Sequence, residues 1–188
     1  MAVNPSEAML SDILHRAQVE GALGARPIAD VLAHARGFVA ALETEVASVL
    51  DLGSGAGVPG LVIALDRPLV RVTLVDRRTT RVDALRRAVT VLGWTDRVHA
   101  VEADAEQLSN DPSQQGRYDA VVARGFAEPM STLRIAARLA RVGGWVVISE
   151  PPPDQASRWE TEWVRSLGLS APERCGPVVR FHVEQAGT

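Results

Sequence analysis

The stretch over residues 47–60, ASVLDLGSGAGVPG, constrains the fold of this chain more than any other part of the sequence. An apolar run meets a cluster of glycines, and Asp51 stands just before the first of them. Apolar residues at helical spacing follow, namely Val58, Leu61, Val62 and Leu65. This order predicts a strand, a tight turn and a helix, the opening unit of a nucleotide-binding α/β domain. Glycine suits such a turn because a side chain would keep a ligand from the backbone N–H groups and the helix N-terminus.

The spacing of the glycines and the position of the acid separate two nucleotide ligands. A dinucleotide site of the pattern G-x-G-x-x-G begins directly after the strand. Here that frame fits only from Gly55 through Gly57 to Gly60, while the strand itself ends in Asp51-x-Gly53. A carboxylate at this point suits the positively charged amino group of a methionine moiety and repels a pyrophosphate. The pattern therefore favours S-adenosylmethionine over NAD, with a glycine-rich turn that binds no ligand as the alternative.

Strand and helix patterns alternate through the rest of the chain. Further strands are predicted near residues 71–76, 97–101, 118–123, 145–149 and 178–183, the last in an antiparallel hairpin with 169–171. Helices are predicted near 6–42, in two or three pieces, and over 79–92, 129–142 and around Trp159, Trp163 and Leu167. We therefore expect an α/β, Rossmann-like, doubly wound sheet of about seven strands, mostly parallel with an antiparallel C-terminal edge. We expect residues 1–188 to form one domain, with a helical appendage over 1–44 and the core over 45–188.

Charged residues at the ends of two predicted strands are further candidates for the site. Asp76 ends the second strand, 16 positions beyond Gly60, which is near the usual spacing for an acid that binds ribose hydroxyls. Arg124 ends the fourth strand, where ligands bind in open α/β sheets. A buried arginine there needs an anionic partner, whether a cofactor carboxylate, a substrate phosphate or a protein acid. An acid that merely ends a strand is the structural alternative for Asp76.

Composition narrows the classes of protein. The net charge of −3 argues against strong non-specific nucleic-acid binding, and all the positive charge is arginine, since the sequence contains no lysine. One cysteine, Cys175, excludes an intrachain disulfide and a cysteine-based metal cluster, and no metal is expected. No apolar run approaches the roughly 20 residues of a membrane helix, and the N-terminus lacks a signal-peptide pattern. These features predict a cytoplasmic protein.

Four motifs together resemble one known family. They are the loop VLDLGSGAGVPGL at 49–61, the pair Ala105-Glu106, the segment VVARGFA at 121–127, and the helix that ends in Gly143-Gly144. The chain looks like the glucose-inhibited division protein B family over about residues 45–150. Members of that family are class I S-adenosylmethionine-dependent methyltransferases that modify the 7-nitrogen of a guanine in small-subunit ribosomal RNA.

The resemblance implies roles for particular residues. Gly53 and Val58 would line S-adenosylmethionine, Ala105-Glu106 would meet its adenine, and Arg124 would be the family's arginine after the fourth strand. With Asp51, Gly55 and Asp76, assigned above from the residues themselves, these complete the predicted cofactor-binding set. No catalytic residue is assigned, because the 7-nitrogen of guanine already carries a free lone pair and needs no strong base.

The methyl acceptor is left open among three hypotheses. The first is ribosomal RNA, as the family implies. The second is a small molecule or a protein, which the acidic charge favours, as does Ser149-Glu150-Pro151 where the family usually has Leu-Lys-Gly. The third is a non-catalytic relative that binds the cofactor. An RNA substrate would require the arginines around helix 79–92 and those on helix 129–142 to lie on the same side as the site.

Overall fold

The computed structural model describes residues 4–151 and 158–184. Its helices are α1 (Pro5–Val19), α2 (Ile28–Ala41), α3 (Gly60–Asp66), α4 (Thr79–Leu92), α5 (Ala105–Asn110), α6 (Pro129–Leu139) and α7 (Thr161–Ser166). Its strands are β1 (Ser48–Leu52), β2 (Arg71–Asp76), β3 (Val98–Glu102), β4 (Tyr118–Ala123), β5 (Ala140–Ser149), β6 (Glu173–Cys175) and β7 (Val178–His182). The run Glu150-Pro151-Pro152-Pro153 predicts a stiff segment after the fifth strand, and of these residues Pro152 and Pro153 lie outside the described ranges.

The strands form one sheet in the order β3-β2-β1-β4-β5-β7-β6. The first five pair in parallel, whereas β7 pairs antiparallel with both β5 and β6. The predicted seven-stranded, doubly wound sheet with an antiparallel C-terminal edge is therefore confirmed. The order reverses between β1 and β4, and the carboxyl ends of the strands beside such a switch point form the usual ligand crevice.

Helices cover both faces of the sheet. The strands between them are buried on both sides, which explains their largely apolar sequences. One apolar core joins α1–α4 to the sheet, and its fully buried side chains include Leu10, Phe38 and Leu61. The other joins α6 and α7 to the opposite face, around Leu133, Val164 and Phe181. In residues 4–151 and 158–184, no helix is both long and apolar enough to cross a membrane.

Several element boundaries differ from the predicted ones, and β5, for instance, begins at Ala140 rather than near residue 145. Helix α6 ends at Leu139 rather than near 142, because the Leu139 carbonyl accepts from the Arg117 N–H and the chain then continues into β5. The partner of β7 is Glu173–Cys175, and only a single bridge joins Leu169 to Val183. Trp159 precedes α7, yet its ring is buried against Phe181 with centroids 5.1 Å apart, as expected for a core residue.

A close approach between β1 and the start of α3 explains one glycine of the loop. The Gly60 N–H donates to Asp51 Oδ2 at 3.0 Å, in a site from which water is excluded. A Cβ added at Gly60 would lie 2.3 Å from Leu74 Cδ2 and 2.7 Å from Asp51 Oδ2. The absence of a side chain therefore lets the helix begin directly over β1 and β2.

Replacing Gly60 by alanine is expected to lower the free energy of unfolding by about 1–3 kcal/mol, because both neighbours would have to shift in a packed core. Urea denaturation measures the change. Gly24→Ala is the matched control, since a Cβ there meets nothing within 4 Å. Equal stability of the two variants would contradict this account of the β1–α3 junction.

Candidate functional site

A cavity of about 350 Å³ opens at the carboxyl ends of β1–β4. We call it the central cavity; its lining includes Gly53, Asp76, Asp104, Ala105 and Phe126. Of the predicted site residues, the structure brings Gly53, Asp76 and Ala105 together here. The volume lies within the range of about 300–1,000 Å³ that is typical of small-molecule sites.

The carboxylate of Asp76 fixes the glycine loop against β2. Its Oδ2 accepts from the Gly55 N–H at 3.0 Å and its Oδ1 from the Arg78 N–H at 3.0 Å. The guanidinium of Arg81 lies 3.5 Å from Oδ2. A carboxylate accepts about four hydrogen bonds, so Asp76 keeps capacity for a hydroxyl group that enters the central cavity. Gly55 acts through its backbone, at a φ of +57° that glycine adopts readily.

Asp51 lies behind the loop and is not among the residues that line the central cavity. It is 1% exposed, and its Oδ1 is the one buried side-chain oxygen without a hydrogen-bond partner in the described part of the chain. Burial raises the pKa of Asp51 to about 7, although the Gly60 N–H and the Arg124 guanidinium both favour its charged form. An unsatisfied acceptor of this kind is a site at which a cation or a donor would be stabilised.

The side chains of Ala105 and Glu106 have different surroundings. Ala105 lines the central cavity, whereas the Glu106 carboxylate binds the Arg134 guanidinium at 2.7 and 2.8 Å. Asp104, which the sequence did not single out, lines the cavity and caps α5 by accepting from the Glu106 and Gln107 N–H groups. The sequence signal for Asp104 was an acid directly before a short helix.

A second cavity of about 320 Å³ lies at the carboxyl ends of β4 and β5. We call it the side cavity; Arg26, His34, Arg124, Glu150 and Arg158 line it. Burial and the two nearby arginines, Arg124 and Arg26, lower the pKa of His34. The imidazole is therefore neutral near pH 7. Arg124 also holds the loop, because its Nε donates to the Val58 carbonyl at 3.2 Å. This contact is how the predicted residue Val58, itself buried, is tied to the site.

Glu150 does not make the side cavity acidic. Its Oε1 accepts from Arg158 Nε at 3.0 Å and from Trp159 Nε1 at 2.8 Å. The guanidinium of Arg174 lies 3.9 Å from Oε2. The charge of Glu150 is thus balanced within the protein, and Arg26 and Arg124 leave the cavity cationic. The acid at this position is therefore compatible with an anionic ligand.

Phe126 stands between the two cavities and lines both of them, together with Gly125 and Ala127. Its half-buried ring packs on the backbone of Gly53, since a Cβ at Gly53 would lie 2.5 Å from Phe126 Cδ2. The sequence placed this segment at a ligand-facing strand end, but only Arg124 was assigned a role there. An aromatic residue two positions beyond that arginine was the signal for Phe126.

The arginines divide into structural and unpaired groups. Those on α6 are bound to protein partners: Arg134 to Glu106, and Arg138 to Asn110. Arg141, predicted in the same helix, binds Asp119 at 2.7 Å. In contrast, five arginines that line the openings form no ion pair and no side-chain hydrogen bond through their guanidinium groups with any residue within 4–151 and 158–184. They are Arg16, Arg26, Arg77, Arg78 and Arg87. The arginines around α4 thus face the site and those on α6 do not.

A third depression, of about 700 Å³, continues from the glycine loop between α1 and α4. Arg78 and Arg81 line both it and the central cavity, and Arg16 and Arg87 lie on its walls. The unpaired arginines therefore border three openings that adjoin through shared lining residues, and we call this border the arginine edge.

Comparison with known proteins identifies relatives of one kind. The family model described as rRNA small subunit methyltransferase G, GidB, matches residues 14–157. A ribosomal RNA small subunit methyltransferase G from Roseiflexus sp. (strain RS-1) is 40% identical over 100 residues, which cover 53% of this chain and 42% of that protein. One of the same name from Pelotomaculum thermopropionicum is 36% identical over 122 residues, covering 64% and 51%. The chain thus spans about half the length of these relatives.

Solved structures share the fold. An S-adenosylmethionine-dependent methyltransferase, SibL, in its apo form superposes with a TM-score of 0.64 at 18% identity, over 96% of this chain and 70% of that one. An O-methyltransferase family protein from Burkholderia thailandensis gives a TM-score of 0.56 at 18% identity, over 96% and 59%. At this identity the likeness concerns the Rossmann-like fold alone.

Asp51 is expected to make stability depend on pH. Its pKa is higher in the folded protein, about 7, than the ordinary 3.8, so the folded state binds more protons between these values. This contribution to stability is fully present below the ordinary pKa and is lost as pH rises through the folded pKa. Between pH 5 and pH 8 the loss amounts to about 2–3 kcal/mol, at 1.4 kcal/mol per pKa unit.

The measurement is urea denaturation of the wild type and of Asp51→Asn from pH 5 to pH 8. The amide of the variant does not titrate, so the stability difference between the two proteins should shift by that amount in favour of the variant as pH rises. Asp96→Asn, at an exposed position, serves as the control. A pH-independent difference would mean that Asp51 does not carry the shift.

Proposed function

Because the chain belongs to the rRNA small subunit methyltransferase G (GidB) family, we propose that it transfers a methyl group from S-adenosylmethionine to a guanine ring nitrogen of small-subunit (16S) ribosomal RNA. The observation that carries this proposal is the shared wall of the two cavities. The central cavity has the polar lining of a nucleoside site, and the cationic side cavity adjoins it along residues 125–127. A donor in one and an acceptor in the other would meet at that wall.

The residues of the central cavity fit S-adenosylmethionine in three respects. Gly53 exposes its backbone to the cavity, Asp76 keeps capacity for ribose hydroxyls, and Ala105 offers a small apolar contact for adenine. Asp51, buried behind the loop and outside the cavity lining, stays a prediction for the methionine amino group. Gly55 and Val58 support this set through the contacts with Asp76 and Arg124. Glu106 stays a prediction, since its carboxylate is held by Arg134.

When bound, S-adenosylmethionine would supply an electrophilic methyl group: the guanine lone pair forms the new carbon–nitrogen bond as the carbon–sulfur bond breaks and leaves its electron pair on sulfur. No proton moves in this exchange, so the site needs no general base. The chain's own contribution is to hold and orient the acceptor and to exclude water from the shared wall. Because His34 is neutral, it adds no charge beside Arg124 in such a site.

The arginines around α4 support a nucleic-acid acceptor, whereas those on helix 129–142, which an RNA substrate would also require on this side, are bound to protein partners. Unpaired arginines border the central cavity, the side cavity and the groove between α1 and α4, and each can neutralise a phosphate. The overall charge of −3 coexists with these unpaired arginines because the 23 acids outnumber the 20 arginines and their excess lies elsewhere in the chain. A small-molecule acceptor would need only the side cavity.

The decisive experiment is transfer of a labelled methyl group from S-adenosylmethionine to small ribosomal subunits and to naked small-subunit rRNA, with the modified nucleotide mapped by mass spectrometry. The proposal predicts one 7-methylguanine. Cofactor binding without labelled RNA would instead point to a small-molecule or protein acceptor, and no cofactor binding by calorimetry would overturn the methyltransferase assignment.

Asp76→Ala is expected to weaken S-adenosylmethionine binding by about 1–3 kcal/mol, the scale of lost hydrogen bonds to a charged group. Calorimetry measures the affinity, and a melting curve checks the fold because Asp76 also holds the Gly55 N–H. Asp76→Asn keeps an acceptor and should lose less. Asp83→Ala, which removes a partly exposed carboxylate from α4, is the control. Unchanged affinity in folded Asp76→Ala would refute the ribose assignment.

Neutralising two arginines beside the central cavity is expected to weaken RNA binding and its dependence on salt. The variant Arg77→Gln/Arg78→Gln should lower the slope of log affinity against log salt by about 1–2, because each phosphate contact contributes nearly one unit. Arg71→Gln is matched, since Arg71 is exposed at the opposite end of β2. If both variants bind RNA alike over a salt series, this edge is not the RNA surface.

A further inference from the structure

We propose that Phe126 is the residue that stacks on the acceptor base and sets it against the methyl donor. The inference rests on the proposed function and adds to it the contact by which the base would be held. It is carried by the place of the ring, which lies in the wall shared by the central and side cavities.

Among the described residues that line the side cavity, the Phe126 ring is the one flat apolar surface for a base. Its arginines, Arg26, Arg124 and Arg158, can meet phosphate or a carbonyl oxygen, but they do not by themselves fix the plane of a ring. Phe126 is the one phenyl, phenol or indole ring among the described residues that line the three openings. Single nucleotides taken out of a helix are held by stacking on such rings and by hydrogen bonds to their edges.

The backbone around Phe126 holds the ring at this point. Gly125 precedes it with a φ of +58°, a conformation that glycine adopts readily, and the chain then enters α6 at Pro129. The ring packs on Gly53 on its central-cavity side. A side chain at Gly53 would displace it, so the loop after β1 and the loop after β4 jointly define its position. The same residue also lines the side cavity.

Arg124 and Phe126 would then divide the recognition of guanine between them. Arg124 follows β4 and lines the side cavity together with Phe126, so its guanidinium would donate to an edge of a ring that stacks there. Stacking places the ring plane, while a donor to one edge selects its rotation. The 7-nitrogen of the guanine then needs only a free lone pair that points to the wall shared by the two cavities.

The test compares Phe126→Ala, Phe126→Leu and Phe126→Tyr with the wild type on an RNA fragment around the mapped target. Three quantities are measured: kcat and KM for the RNA, RNA affinity without cofactor, and S-adenosylmethionine affinity by calorimetry. Met130→Ala is the control, because Met130 lies on α6, is 44% exposed and lines none of the three openings.

Loss of the ring should lower kcat/KM and RNA affinity by roughly 5- to 100-fold, the range of alanine substitutions at stacked bases. Phe126→Leu should resemble the alanine variant, because it restores volume but no π surface. Phe126→Tyr should retain most of the activity. The affinity for S-adenosylmethionine should fall less than the RNA affinity in all three variants, because the ring also lines the central cavity but the stacked base loses its main contact.

Other outcomes overturn the inference. Full activity of Phe126→Leu would show that the position needs only bulk, and a change confined to S-adenosylmethionine affinity would place the ring against the cofactor alone. A wild-type protein that neither binds S-adenosylmethionine nor methylates the RNA would be a failure of the proposed function. A methylating wild type with an equally active Phe126→Ala would be a failure of this inference only.

Discussion

The buried hydrogen bond from the Gly60 N–H to Asp51 Oδ2 joins the end of β1 to the first residue of α3, and the site depends on it. Residues 53–59 are held between these two anchored ends. Asp76 then fixes the loop from β2 through the Gly55 N–H, and Arg124 fixes it from β4 through the Val58 carbonyl. Three strand ends thus position one loop. The arrangement costs free energy, because Asp51 is buried with one oxygen unpaired, and such a cost is usually retained where a ligand offsets it.

Arginine serves two separate purposes in this chain. Where it faces an acid it acts as a clamp between elements: Arg134 joins α6 to α5, and Arg180 joins β7 to Glu173 and Glu43. Where it forms no ion pair with the described residues, as at Arg77, it borders the cavities. The same residue type therefore carries both the packing of the sheet edge and the charge of the site. Net charge and residue counts do not separate these roles, because they ignore which groups are paired.

The acid in the side cavity illustrates the same point. In the sequence, Glu150 stands where the related family usually has a lysine, and this favoured an acceptor other than RNA. In the structure Arg158, Trp159 and Arg174 surround its carboxylate. The nearest of these partners, Arg158, lies 8 residues along the chain and gave no local sign of the contact. The charge of one residue therefore does not decide the charge of a cavity, because the partners of that residue can neutralise it.

The sequence by itself determined the order of the elements, the mostly parallel sheet and the glycine loop, because hydrophobic periodicity and backbone freedom act over a few neighbouring residues. It also placed Gly53, Asp76 and Ala105 at strand ends, and parallel strands bring such ends to one edge. Only the tertiary structure decided which side chains face the openings. Glu106 binds Arg134 while its neighbour Ala105 lines the central cavity, and Phe126 rests on Gly53 from the loop after β4, which is distant in sequence. These choices depend on packing and charge pairing between elements, which no local pattern encodes.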